Sequence, residues 1–256
     1  MRTVSITVMA ILFLGLHFIK AQNIITHEYR RVAPADMEEY IKRETTYWKV
    51  FAENEVKKGN LTFWGIFQRI DGMNLDTEPN ILIVNAFNNI DKGVEWAGIT
   101  DLFPNVSMDK MNTWGMSTTV DRIFIDNSTN HIRKPNTDGE DYQYVRFIYH
   151  SVNDLSKHLS FEAEKWMPLV ERAWVEGKTT MTGWGNGTII LPQSEDFSYN
   201  SYSYDIFPSL QAALSPAFSE DLSIPNGFWD PLQGNYNATR NSHLYRVISA
   251  VQAPPQ

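Results

Sequence analysis

The second half of this chain repeats the first, and no other feature limits its fold so sharply. EYRRV at residues 28–32 aligns with QYVRF at 143–147, pairing Tyr29 with Tyr144 and Arg31 with Arg146. Further on, at a separation of 118 residues, Asp36, Trp48, Glu53 and Gly59 fall on Asp154, Trp166, Glu171 and Gly177. TFWG at 62–65 then meets TGWG at 182–185. Pro104, Asn105 and Asp109 meet Pro225, Asn226 and Asp230, and Arg122 meets Arg246. Each match alone is cheap, but they are collinear, and the separation grows slowly as small loop insertions would make it. Such a chain is expected to fold as two similar units, placed at 22–134 and 135–256.

Alternation of β-branched and aromatic residues with polar ones predicts first strands over 25–33 and 142–150. A long helix follows each, opened by an Asp able to accept backbone N–H groups. The helical stripes are Met37, Tyr40, Ile41, Tyr47, Trp48 and Phe51, and Leu155, Leu159, Trp166, Leu169, Val170 and Ala173. Gly59 and Gly177 stand where a left-handed C-cap is wanted. Strands are expected near 61–70 and 81–88, and again near 180–191 and 200–207. Short helices near 90–102 and 209–218 precede last strands at 121–126 and 243–251. That order is the split βαββαβ pattern written twice. With a Trp-Gly strand after each long aromatic helix, the chain resembles the dimeric α+β barrel proteins in a fused, tandem form. The resemblance implies an α+β fold in which two ferredoxin-like βαββαβ repeats join their sheets into one intramolecular pseudo-dimeric barrel, which removes exposed edges. Barrels of this kind include small-molecule monooxygenases, isomerases, haem enzymes and stress-related proteins, so the fold does not choose a function.

Residues 1–21 read as a signal peptide, with Arg2 at the start, an apolar run from Val4 to Phe18, and a boundary at Ala21. The run is short for a membrane span, and no later stretch is long enough. The expected location is therefore outside the cytoplasm, periplasmic or secreted, in a bacterium. After the leader, 20 basic residues face 30 acidic ones, which argues against nucleic acid and against an anionic membrane surface. The chain has no cysteine, which removes disulfides, thiol nucleophiles, Cys-ligated zinc and iron–sulfur clusters. Five Asn-x-Ser/Thr triplets, at Asn60, Asn105, Asn127, Asn186 and Asn237, carry little weight in an Asn-rich chain.

No motif names a reaction. The candidate ligand-binding residues are Tyr29, Arg31, Tyr144, Arg146 and His150 on the first strands, with Trp64 and Trp184 as stacking surfaces. If Val145, Phe147 and Tyr149 pack on the helices, then Tyr144, Arg146 and His150 point into the barrel, and His27 shares the face of Tyr29 and Arg31. An arginine fork among aromatic walls suits an anionic aromatic ligand. The plainer reading is that Arg31, Arg122, Arg146 and Arg246 make internal salt bridges, and it carries more weight. The histidines include no H-E-x-x-H and no His pair at helical i, i+4 spacing, so no metal site is expected. The cofactor stays unknown, with His150 the first choice of axial ligand if haem binds. GWGNG at 183–187 lies in a strand and fits a bulge or a close approach of chains rather than a phosphate loop. The expected function is an exported small-molecule-binding or small-molecule-processing barrel. The alternative is a non-enzymatic envelope protein that contacts protein or glycan through its aromatic loops; FWDPL at 228–232, set among turn residues, reads as a lid over a cavity mouth or a structural cap. Whether the chain pairs further is open.

Overall fold

The structure is a computed structural model and describes residues 24–253 apart from 73, 75, 128–129, 195–196 and 238–240. The leader read at 1–21 lies outside the described residues. Among the described residues nine strands form one antiparallel sheet: β1 (Ile24–Val32), β2 (Leu61–Arg69), β3 (Ile81–Phe87), β4 (Ser117–Asp126), β5 (His131–Arg133), β6 (Tyr144–His150), β7 (Gly183–Leu191), β8 (Ser201–Phe207) and β9 (Asn241–Gln252). Their spatial order is β4-β1-β3-β2-β9-β6-β8-β7-β5, and β4 also pairs with β7, so eight strands close a barrel. The strand order within the first four, 4-1-3-2, recurs in β6 to β9. One seam, β2 with β9, runs from Phe63 opposite Gln252 to Arg69 opposite Tyr245. The other, β4 with β7, spans Phe124 to Asp126, and β5 covers the start of β7.

Each long helix is one rod with a π-helical turn in its middle. In the first, α1 (Met37–Arg43) passes through Glu44–Trp48 into α2 (Lys49–Lys57). In the second, α5 (Leu155–Phe161) passes through Glu162–Trp166 into α6 (Met167–Val175). The two π turns stand 118 residues apart, and such turns concentrate at functional sites. The shorter helices are α3 (Ile99–Leu102), α4 (Met108–Met111) and α7 (Leu210–Leu214). Asp154 caps α5, its side chain accepting from the Lys157 N–H at 2.9 Å, whereas Asp36 makes no side-chain cap. Gly59 and Gly177 take φ of +76° and +67° and end the rods as expected.

Two apolar layers result. Inside the barrel, Tyr29, Phe67, Leu82, Val84, Ile123, Val145, Phe147, Tyr149 and Tyr202 pack together. Outside it, Trp48, Phe51, Trp64, Ile66 and Ile83 fill the space under the first rod, and Val170, Trp174, Trp184 and Phe207 fill it under the second. Val145, Phe147 and Tyr149 thus face the lumen, and Tyr144, Arg146 and His150 face the helices, the reverse of the sequence expectation. The premise that the apolar face of β6 packs on the helices fails, because that face packs into the lumen with Phe67, Tyr202 and Tyr245, and the register of the repeat agrees. The EYRRV and QYVRF match uses a separation of 115 residues, but the helices and strand ends correspond at 118. An odd slip of three residues moves every side chain to the opposite face.

The glycines of GWGNG answer a close approach of chains. A Cβ at Gly183 would stand 2.9 Å from Ile206 Cδ1, and Cβ atoms at Gly185 and Gly187 would enter the rings of Tyr204 and Tyr202. Large side chains of β8 lie across the bare backbone of β7. Among the described residues no helix is long and apolar enough to cross a membrane.

Candidate functional site

The residues singled out from sequence do not converge. Tyr29 is buried in the lumen, its hydroxyl hydrogen bonded to that of Tyr149. Arg31, next to last in β1, donates to the Asp76 carbonyl. Arg146 donates to the Ala213 carbonyl, lies 4.0 Å from Asp205 and stacks 5.2 Å from the Phe207 ring centroid. His150 is buried against the helices, its Nε2 3.0 Å from Ser203 Oγ. Tyr144 packs on the outer cluster of the second half, Trp184 is buried within it, and Trp64 is buried in that of the first half. Of the four arginines read as internal pairs, Arg122 bonds Glu28 with Nε at 3.0 Å, while Arg246 donates to Gln68 at 3.0 Å.

Trp64 leads to a cavity of about 480 Å³ between the first rod and the outer face of β1, β3 and β4. Tryptophans form much of its wall: Trp48 and Trp64 from helix and strand, Trp96 and Trp114 from the connections that follow β3. Trp48 is the hub, with ring centroids 6.3 Å from Trp96 and 5.3 Å from Trp114, and its Nε1 donates to the Met111 carbonyl at 2.9 Å. The alternation of β1 sends Thr26, Glu28 and Arg30 outward into this space, and the π turn sends Glu44 and Trp48 to meet them.

The polar groups divide into a satisfied set and an expectant set. Arg30 Nε donates to Glu28 Oε1 at 2.5 Å, and Arg122 holds the other carboxylate oxygen. Burial pushes the Glu28 carboxyl up, but Arg30 and Arg122 together outweigh it and leave it below its ordinary range. Glu44 is 2% exposed, and burial pushes its carboxyl up despite a 2.7 Å hydrogen bond from Thr113 Oγ1 and the field of Arg30. Asn85 on β3 is also buried in the wall. Its Nδ2 reaches Thr26 Oγ1 at 3.5 Å, and its Oδ1 has no hydrogen-bond partner among the described residues. An unmatched buried acceptor is costly unless a ligand supplies a donor.

A second, wider cavity of about 1340 Å³ opens from one end of the lumen beneath residues 131–143. His27, Phe63, Phe67, Phe147, Tyr202 and Tyr204 line its depth, and Arg133 and Lys134 stand at its mouth. His27 is 1% exposed and bonded at 2.8 Å to the Tyr149 hydroxyl, and burial lowers its pKa to about 3, so it is neutral. A porphyrin needs a slot beside its axial ligand, and neither cavity borders His150. Asn186, read as one of the glycosylation triplets, is fully buried and donates to Glu162 Oε2 at 2.7 Å, which closes it to glycans in the folded chain.

Glu44, Glu162 and Asn85 are the residues that sequence reasoning missed. The signal for the two glutamates was present, since each stands four places before a repeated tryptophan inside an apolar stripe. Burial raises Glu162 to about 8 against the bond from Asn186, and the Asp205 charge adds to the rise.

No protein-family model matches this sequence, and no curated protein sequence does. Solved structures match its fold. A candidate monooxygenase from Lactobacillus acidophilus NCFM has a TM-score of 0.53 at 16% identity, over 91% of this chain and 97% of that one. An anthrone oxidase-like protein gives 0.52 at 10% identity, over 92% and 95%. A candidate monooxygenase from Fusobacterium nucleatum subsp. nucleatum ATCC 25586 gives 0.52 at 14%, over 90% and 94%. The likeness establishes an α+β fold around a closed antiparallel barrel.

Proposed function

We propose that this chain is an exported small-molecule-processing barrel, built from two ferredoxin-like units, that takes a planar aromatic substrate bearing a hydroxyl or N–H donor. The Trp-walled cavity of the first half is the site. The observation that carries this is the buried Asn85 Oδ1, an acceptor without a partner in a cavity large enough for a ring system and walled by stacking surfaces. Asn85 receives the donor of the ligand, the tryptophans sandwich its ring, and Glu44, whose carboxyl burial pushes up, stands at the cavity wall to exchange a proton. The activities named for the similar structures, monooxygenase and anthrone oxidase-like, fit oxidation of such a ring. The duplicated reading rests on the recurring 4-1-3-2 strand order and the paired π turns. Export rests on the leader alone.

The test is quenching of tryptophan fluorescence by hydroxylated naphthalenes and anthrones, with oxygen uptake measured in parallel. Asn85→Leu is expected to weaken binding about tenfold, the worth of one hydrogen bond of roughly 1.4 kcal/mol. Glu44→Gln is expected to bind normally and turn over slowly. Equal binding by wild type and Asn85→Leu would remove the site. The lumen carries a second reading, an anionic aromatic ligand seated on Phe147 and Tyr204 with its charge at Arg133 and Lys134. In that case Arg133→Ala, and not Asn85→Leu, abolishes quenching.

A further inference from the structure

The second rod carries an arrangement that the first lacks. His158 on α5 and Glu162 at the start of the π turn lie one helical turn apart and share a face. His150, the last residue of β6, faces them from the sheet. One donor atom from each of the three lies within 4.8 Å of the other two, and all three side chains are buried. His158 Nε2 stands 3.5 Å from Glu162 Oε2. Two ligands of one tetrahedral ion, bonded at about 2.0–2.1 Å, stand about 3.3–3.4 Å apart.

The histidines are not needed for packing. The positions 118 residues earlier, beside the other π turn, hold Val32, Tyr40 and Glu44, so a valine and a tyrosine fill the same joint between helix and sheet. His158 is 1% exposed, and neither of its ring nitrogens has a hydrogen-bond partner among the described residues. A buried imidazole left in this way has lost water and gained only a loose approach to a carboxylate. The surroundings are those of supported ligands. Ser203 Oγ holds His150 Nε2 at 3.0 Å, and Asn186 Nδ2 holds Glu162 Oε2 at 2.7 Å, fixing the orientation of both groups. The Tyr236 ring lies 6.0 Å from the His150 ring and 5.8 Å from the His158 ring, and it is 39% exposed, so one neighbour of the cluster reaches solvent.

We propose that His150, His158 and Glu162 form a binding site for one divalent first-row transition-metal ion, with zinc(II) or iron(II) as the occupant. Two imidazoles and one carboxylate are the donor set of mononuclear zinc and non-haem iron centres and are too nitrogen-rich for magnesium or calcium. The site is separate from the Trp-walled cavity, so either can fail without the other.

The experiment uses the mature chain without a histidine tag, stripped with chelator and titrated with Zn²⁺ by calorimetry and with Co²⁺ by visible absorption. One equivalent is expected, with ligand-field bands for Co²⁺ and a Zn²⁺-dependent rise in Tm. Glu162→Gln and His158→Gln, both close in shape to the native residues, are expected to weaken Zn²⁺ binding about 100-fold while keeping the wild-type circular dichroism. His243→Ala, at a partly exposed histidine paired with Asp71 elsewhere, is expected to bind as wild type does. Substoichiometric binding by the wild type, absence of Co²⁺ bands, or equal affinity in Glu162→Gln and His158→Gln would each overturn the site. The wild-type titration decides even where a variant fails to fold.

Discussion

The lumen of this barrel contains a histidine with no charged partner among the described residues, and that makes a sharp prediction about acid stability. His27 packs its ring 5.0 Å from Phe147 and 5.4 Å from Tyr202, and its polar contact is the Tyr149 hydroxyl. Burial lowers its pKa from the ordinary 6.5 to about 3. As pH falls, the unfolded chain takes the proton first and the folded chain resists it. The stabilisation is therefore complete above pH 6.5 and is lost progressively as pH falls toward 3. Between pH 7 and pH 5 the loss from this one group is about 2 kcal/mol, at roughly 1.4 kcal/mol per pH unit once the unfolded histidine is charged. For a chain of this size that is about 4–8 °C in Tm. His27→Phe removes the titration while keeping a flat ring in the lumen. Urea unfolding followed by tryptophan fluorescence at pH 7, 6 and 5 should show the advantage of wild type over the variant shrinking by about 2 kcal/mol across that range. Other groups, His158 and Glu162 among them, titrate alike in both proteins and cancel in the difference. Parallel stability curves would refute the reasoning, because they would mean that His27 meets water or a counter-charge that its contacts do not show.

Three further outcomes are expected. Gly187→Ala should cost about 1–3 kcal/mol, because its Cβ would stand 2.8 Å from the Asp126 backbone carbonyl at the β4–β7 seam as well as in the Tyr202 ring. Gly185→Ala should cost less, since the side chain of Tyr204 can swing, and chemical denaturation of the two variants gives the ranking. Asn80→Ala should cost about 2–4 kcal/mol in the same assay, because Asn80 accepts from the Val32 N–H at 2.9 Å and donates to the Val32 carbonyl at 2.8 Å, and its loss strands both groups in the core. Glu44 gives an opposite pH effect to His27. Burial pushes its carboxyl up, so its contribution is present at low pH and fades as pH rises through the raised pKa, and Glu44→Gln should flatten that fall.

Much of the fold was legible because periodicity and punctuation are local. Gly59 and Gly177 marked the helix ends, and the strand runs fell close to β1–β4 and β6–β9. The faces of β6 were not legible from the alignment. EYRRV and QYVRF look alike through Tyr and Arg, yet the helices that follow demand a different register, and a match of five residues cannot outvote the packing of a rod. The 3-residue β5 carries too few residues for any pattern. The site was partly legible. Trp64 was named as a possible cavity wall, but Asn85 gains its meaning only when Trp96 and Trp114, brought in by long connections, close the space around it. The His150, His158 and Glu162 cluster joins a strand to a helix, and no spacing rule for histidine pairs alone could find it.

The order in which this chain is made and the order in which its strands sit are opposed. β9 is synthesised after β1 to β8, yet it lies in the ring between β2 and β6. Until it arrives, β2 and β6 each present an open edge of backbone donors and acceptors, the kind of surface that recruits other chains. A nascent or truncated molecule is thus a sheet with edges to offer, and the finished one has closed them. Every molecule has to cross that interval unpaired, and loss of β9 would leave it there.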